Sequence, residues 1–520
     1  MKSALPRATL WVLALASAGL FLRLALERLV YPLELDCIEG VMMDHVVRLA
    51  HGQPIYVEPS LSFIPLAYMP VFASVSALLA RAFGPHFWEP RLFSLLSVLG
   101  LTGMIATIVR AETRSWTLGA GGAALYLAGF GVTGGCYDVA RPDSLMLCLA
   151  LAGLVVLRFT RGAAGACAAA LLLSVAFFTK QHAAWFVLAA LLHLAFNDRR
   201  RLLPFALIAG AGCAGGFALL SLWLGPWFSF FTLQVPSGWS EISLSRIENY
   251  AGHGLLGTLA MLSGPALLSL GLPARPWRGP AGLWVWAGFG AVGTGLMATL
   301  DPSAYHHVLM PSMMALAVLG PISLHRLLAA LAPRPARSGP NGYACLALAL
   351  QFLPLAYPMH EQLPHARGRE ARDQLLADLR AESGPVLMPY HGFYTYSAGK
   401  PTSLHIIALD DIVRSRGNRL LQRDPAFLDR MFAPLASGPG RPPIVTDIPL
   451  AESGRLWAGL QHSYRRVGGL GWISEPLRPV TGNRFAPTWR YDPRDPGAAG
   501  ETSAPESARP ADASGRPPAR

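Results

Sequence analysis

Apolar runs of membrane length recur along residues 1–358, parted by short polar turns. The first follows a basic start at Lys2 and Arg7 and covers 8–29. Its helical pattern continues through Arg23 to Leu29, a length that suits a bilayer crossing. It therefore reads as an uncleaved anchor, although Ala14-Leu15-Ala16 resembles a signal-cleavage site. Further runs lie at 64–83, 90–109, 117–134, 143–157, 163–178, 183–197, 202–224, 253–272, 281–299, 308–331 and 343–358. After residue 358 the pattern changes. A helix is predicted over 369–381, strands at 385–388 and 404–409, a helix near 424–432 and a strand at 444–445. Short strands alternating with helices predict a small α/β domain over 359–490, and the Pro-, Gly-, Ala- and Ser-rich stretch 491–520 reads as a disordered tail.

The loop charges decide how many runs cross. If 64–83 crosses, the turns bearing Arg158/Arg161, Arg199-Arg200-Arg201, Arg275/Arg278 and Arg334/Arg337 all fall outside, against the positive-inside bias. If 64–83 lies in the interface, those turns and Arg110/Arg114 become cytoplasmic. This parity predicts about eleven crossings, with the N-terminus inside and the C-terminus outside. Segment 64–83 is then a re-entrant or juxtamembrane helix, broken early by Pro65 and Pro70. The expected fold is an α-helical polytopic membrane domain over 1–358 with an extracytoplasmic α/β domain behind it, in the cell (inner) membrane.

Composition agrees. With 52% hydrophobic and 14% charged residues the chain is too apolar for a soluble protein of its size. The net charge of +12 sits in short loops, so it marks topology, and no nucleic-acid partner is predicted. The six cysteines show no metal-type spacing and read as unpaired thiols, Cys37 and Cys136 being the pair whose loops could meet. No P-loop, dinucleotide motif or nucleophile elbow is present, which argues against an ATP-driven pump.

The predicted topology gathers the polar turns on one face: Asp36 and Glu39, the stretch Cys136–Asp143, the turn Thr179–His182, the loop 225–252, and the turn Asp301–His307. Convergent acids, a lysine and histidines at a membrane face make a candidate active site. Lys180 is one of three lysines among 43 basic residues. Asp44 and His45, on the same short helix as the acids, read as a solvated face. The aromatics of 225–252, from Trp227 to Tyr250, read as an interfacial belt or as stacking surfaces for sugar rings.

In order and topology these residues resemble the GT-C superfamily of membrane glycosyltransferases, in the branch of the protein O-mannosyltransferases and the aminoarabinose transferases. The resemblance spans roughly 8–358 and rests on Asp36 with Glu39-Gly40, then Gly52-Gln53-Pro54-Ile55-Tyr56, Arg91, Arg141-Pro142-Asp143, Thr179-Lys180-Gln181, and Tyr305 with Pro311. One departure is that Ile38, not an acid, precedes Glu39, which leaves Glu39 or Asp36 as the catalytic carboxylate, Glu39 first.

The resemblance implies inverting transfer of a sugar, hexose or pentose, from a polyprenyl-phosphate donor to a lipid, polysaccharide or protein acceptor at the outer face. Glu39 or Asp36 would be the general base, because a hydroxyl nucleophile needs a carboxylate to take its proton. Asp143 would be a second acid orienting the acceptor. Lys180 and Arg141 would bind the donor phosphate, with His306, His307 and Tyr305 nearby. No cofactor is otherwise called for; a divalent ion, if used, would sit on Glu39 or Asp143. The rival reading is a lipid or solute transporter of the envelope, which predicts paired repeats and mid-membrane polar groups. Neither is visible in the sequence.

Overall fold

The computed structural model describes residues 4–271, 275–331, 342–482 and 484–494. The expected turn at Arg334/Arg337 and the tail beyond 494 lie outside the described residues. The chain is a polytopic α-helical protein. Among the described residues six helices are long and apolar enough to cross a membrane: α1 (Ala4–Leu29), α4 (Trp88–Thr113), α7 (Gly162–Thr179), Arg199–Leu224, Pro280–Thr299 and His306–Leu331. A bent pair, Leu244–Thr258 and Ala260–Leu270, turns by 95° and adds a seventh if it is one span. The run expected over 253–272 thus straddles the bend of an element that begins earlier.

Shorter apolar helices stand where other crossings are expected: α5 (Trp116–Ala128), α6 (Asp143–Phe159), α8 (Ala184–Asn197) and Gly342–Leu355. Two more, α2 (Cys37–Ala50) and α3 (Val71–Phe83), pack on each other. With 13 residues, α3 is about 20 Å long, short of the roughly 30 Å hydrocarbon core. The run 64–83 is a helix only in its second half, and Pro70 is its N-cap.

The packing is that of helices without a polar face. On α7, Ala166, Ala169, Ala170, Leu173 and Ala176 are buried at helical spacing, and the helix packs against α6 and the helix from Arg199. Small side chains let helix axes approach closely where lipid supplies no hydrophobic drive. The run predicted to continue to 134 stops at Ala128. Residues 129–142 instead form a buried irregular stretch whose polar groups are met by side chains. Arg28 donates to the Gly135 carbonyl at 2.8 Å, Ser94 to Val139 at 2.7 Å and Ser144 to Tyr137 at 2.6 Å. Arg28 also pairs with Asp138 at 2.9 Å. Such backbone survives at membrane depth only when protein supplies every partner, and here it carries Arg141 to the site.

After residue 358 the chain is mixed α and β. The helix Gly368–Ala381 matches its expectation, and β1 (Ile444–Thr446), β2 (Tyr464–Gly469) and β3 (Trp489–Pro493) form an antiparallel sheet in the order β1-β3-β2. Other expectations fail. Segment 385–388 makes only an isolated bridge from Leu387 to Ile444, and the strand expected at 404–409 is a helix, Ile406–Arg414, because His405 caps it by accepting from Ile407 N–H. The helix expected at 424–432 is Phe427–Ser437. Residues 491–493, expected to open the tail, instead belong to β3, where Pro493 pairs with Tyr464.

Candidate active site

The helix α2 starts where it does because Asp36 caps it, Oδ1 accepting from Ile38 N–H at 2.8 Å. Both expected acids are fully buried but face different partners. Glu39 receives four hydrogen bonds. Oε1 accepts from Arg91 Nε (2.8 Å) and Ala140 N (2.7 Å), and Oε2 from Arg91 Nη2 (2.5 Å) and Leu35 N (2.7 Å). A carboxylate has about four lone-pair sites, so Glu39 is saturated. It does not line the cavity described next.

That cavity, of about 290 Å³, lies between the membrane helices and the C-terminal region. Of the expected residues, Asp36, Arg141, Lys180, Tyr305 and His307 line it. Asp36 Oδ2 accepts from Arg141 Nη1 at 3.2 Å; Arg141 Nε stands 3.6 Å from Asp143 Oδ2; and Lys180 Nζ donates to Asp143 Oδ1 at 2.7 Å. The result is a buried row of alternating charge, Asp36, Arg141, Asp143, Lys180. Asp143 stands behind its two cations rather than on the wall. His306 is also off the wall, its ring packed edge-on against Tyr305 at 4.6 Å. Arg141 Nε and His307 Nδ1 have no hydrogen-bond partner among the described residues.

Glu39 and Asp143, the acids expected to hold a divalent ion if one is used, do not converge. Arg91 occupies one and Lys180 the other, and the described residues contain no group of three His, Cys, Asp or Glu arranged for a metal. These residues as placed do not fit an ion. Cys37 lines the cavity and Cys136 is buried, and no disulfide joins them.

Several site residues carry no signal in the sequence. From the C-terminal helix Ile406–Arg414, Asp410, Asp411 and Arg414 close the far side of the cavity, and Arg414 ties that helix to the turn after residue 299 through Asp301 at 2.9 Å. Burial pushes Asp411 up to about 8, against the pull of Arg414, and Asp410 up to about 6. Gly482 also lines the cavity. Asp44 and His45, expected on a solvated face, are buried. His45 accepts from Leu66 N–H through Nε2 at 3.0 Å, and burial holds its imidazole down at about 4. Of the aromatic loop, Phe228, Phe230, Phe231 and Tyr250 are buried in the core, and Trp239 lines the cavity.

A second buried cluster was not legible at all. His391 donates from Nδ1 to Glu34 Oε2 at 2.5 Å and from Nε2 to Asp447 Oδ2 at 2.9 Å. Burial works against its charge, yet Asp447 and Glu34 hold its pKa up at about 10. Burial pushes Glu34 up to about 7, with His391 opposing. Asp44, pushed well up by burial, and neutral His405, held down at about 3, complete the surroundings; Glu39 is neutralised by Arg91. Both Glu34 and His391 therefore bind their protons more tightly folded than unfolded, so their stabilisation is full at low pH and is lost as pH rises. For His391 the loss runs from its ordinary 6.5 to about 10. The apparent melting temperature in detergent is expected to fall across that window, and His391→Gln is expected to flatten the slope. An equal slope in both proteins would refute this.

No family model matches the chain, and no curated protein matches its sequence. Solved structures do. ArnT from Cupriavidus metallidurans bound to undecaprenyl phosphate superimposes with a TM-score of 0.58 at 15% identity, over 95% of this chain and 99% of that one. Its apo state gives 0.55 at 16% identity, over 92% and 98%. The apo oligosaccharyltransferase of Archaeoglobus fulgidus gives 0.46 at 11% identity, over 72% and 58%. Nearly the whole chain thus shares the ArnT fold, and the GT-C likeness drawn from the sequence holds at the level of fold.

Proposed function

We propose that this chain, built on the fold of ArnT, transfers a sugar from a polyprenyl-phosphate donor to an acceptor at the outer face of the cell membrane, with Asp36 as general base. The observation that carries the reading is the buried row Asp36, Arg141, Asp143, Lys180 beside a cavity that Asp36, Arg141 and Lys180 line. The structure that superimposes over 99% of its own length was solved with undecaprenyl phosphate, which supports a lipid phosphate as the donor's carrier.

The division of labour follows from the geometry. Asp36 has acceptor capacity left after its cap and its contact with Arg141, so an acceptor hydroxyl can hand it a proton as the oxygen attacks the anomeric carbon. The bond from that carbon to the phosphate oxygen breaks, and its electron pair leaves on the lipid phosphate. Direct displacement inverts the carbon. Arg141 and Lys180 meet the departing charge in a site shielded from water, where fixed cations act most strongly. Asp143 holds both cations in place and keeps the row electrically balanced before the donor enters. Glu39, saturated by Arg91, builds the loop instead of reacting.

The test is to supply the purified chain with a panel of undecaprenyl-phosphate hexoses and pentoses and to measure release of undecaprenyl phosphate. No release from any donor, with any of a lipid, glycan or peptide acceptor, would end the reading. Lys180→Met is expected to weaken binding of undecaprenyl phosphate by about tenfold to a hundredfold, the worth of a charge-assisted hydrogen bond. Unchanged affinity would remove Lys180 from the phosphate site.

A further inference from the structure

Three consecutive residues, the last of which, Asp36, lines the cavity, are each gripped by the C-terminal region. The Glu34 carboxylate takes His391 Nδ1 at 2.5 Å, and Glu34 N–H donates to the Tyr394 hydroxyl at 3.2 Å. The Leu35 carbonyl accepts from Thr481 N–H at 2.9 Å, and the Thr481 hydroxyl bonds the Gly134 carbonyl. Asp36 is covered by Gly482, whose φ of +66° suits glycine and where a Cβ would stand 2.8 Å from Oδ2. Room for the grip is built in from the other side, since a Cβ on Gly40 would overlap the Glu34 carboxylate.

The His391 cluster is an odd choice for stability alone. Two carboxylates and an imidazole are withdrawn from water to make it, and apolar residues of the same volume often stabilise a fold as well or better. What the ionic contacts add is direction: Asp447 orients the ring from behind, Tyr394 stacks on it at 5.3 Å with the planes 7° apart, and Nδ1 then points at Glu34. Glu34 is two residues from Asp36, and Arg91 anchors the same loop through the carbonyls of Tyr31 and Leu33. The carboxylate of Asp36 therefore sits at the convergence of two independent clamps.

We propose that His391 is a positioning residue for sugar transfer, setting Asp36 through Glu34, while Thr481 and Gly482 fix the same carboxylate from above. This rests on Asp36 being the base. Loops placed from outside the reacting centre matter because a displacement of about 1 Å can cost on the order of a hundredfold in rate.

The test uses the full chain in detergent and three variants, His391→Ala, His391→Asn and Gly482→Ala, the last of which leaves the ionic cluster intact. Cys37, next to Asp36 and on the cavity wall, reports loop order without any substrate: its alkylation by a charged, water-soluble reagent is followed by peptide mass spectrometry. His391→Ala and Gly482→Ala are expected to speed alkylation several-fold. They should lower kcat on the donor that the wild type consumes by about tenfold to a hundredfold, with KM for the lipid donor little changed. Asparagine, which can still donate to Glu34, is expected to restore part of kcat. Wild-type kcat in His391→Ala and Gly482→Ala would overturn the proposal, as would a fall in kcat with unchanged Cys37 alkylation. A wild type that consumes no donor would instead sink the functional reading, which keeps the two failures apart.

Discussion

Replacing Asp36 by asparagine is expected to lower sugar transfer by on the order of a hundredfold to ten-thousandfold, the usual worth of a general base, while leaving the protein folded. Asparagine is isosteric and still caps α2, since its side-chain oxygen can accept from Ile38 N–H as Asp36 does at 2.8 Å. What it loses is the ability to take a proton from an acceptor hydroxyl. Arg141 keeps a neutral acceptor on that side and its contact to Asp143 on the other. The measurement is release of undecaprenyl phosphate at saturating donor, alongside a melting curve. Asp36→Asn with wild-type turnover would transfer the role to another group. A large loss of melting temperature would show that Asp36 is mainly a structural cap.

Glu39 is expected to behave in the opposite way. Arg91 has five N–H donors, and all five find acceptors: Nε and one Nη2 proton on Glu39, the other Nη2 proton on Leu33 O at 2.5 Å, and Nη1 on Arg28 O at 3.0 Å and Tyr31 O at 2.5 Å. Acid and guanidinium are both fully buried. Glu39→Ala would strand that charge and leave Ala140 N–H and Leu35 N–H without partners, which is expected to cost about 3–5 kcal/mol of stability. Chemical denaturation in mixed micelles checks this. The double variant Glu39→Leu/Arg91→Met should recover much of the loss, because an apolar pair has no charge to desolvate. A single variant as stable as wild type would refute the reading of this pair as the loop's anchor.

The membrane part was legible because arginine is costly in lipid, so the positions of Arg158, Arg199 and Arg278 constrain where helices end. Asp36, Arg141 and Lys180 could be singled out for a related reason: polar residues at the rim of apolar runs have few bland explanations. Ranking Asp36 against Glu39 was beyond the sequence. The two are three residues apart at the start of one helix, and which of them meets Arg91 depends on where α4 lies in space. The charged cluster of Glu34, His391 and Asp447 was invisible because a lone histidine between Tyr390 and Gly392 shows no partner, and its partner is 357 residues away. Residues 404–409 read as a strand because they favour β structure and because His405, the cap of the helix Ile406–Arg414, gives no more than a weak helix signal. Asp44 and His45 look solvated from the sequence because the surface over α2 is supplied by the C-terminal region and by Leu66, neither of which a local pattern contains.

Contacts spanning more than 300 residues also bear on how the protein is made. Glu34 waits for His391, and the Gly134 carbonyl for Thr481, 347 positions later. A chain still on the ribosome can insert its helices and satisfy Arg91 from residues already made, but it cannot clamp Asp36 until nearly its last strand is synthesised. Unfinished or C-terminally clipped chains would then hold Asp36 without its clamps, so the cavity wall is completed only when the end of the fold arrives.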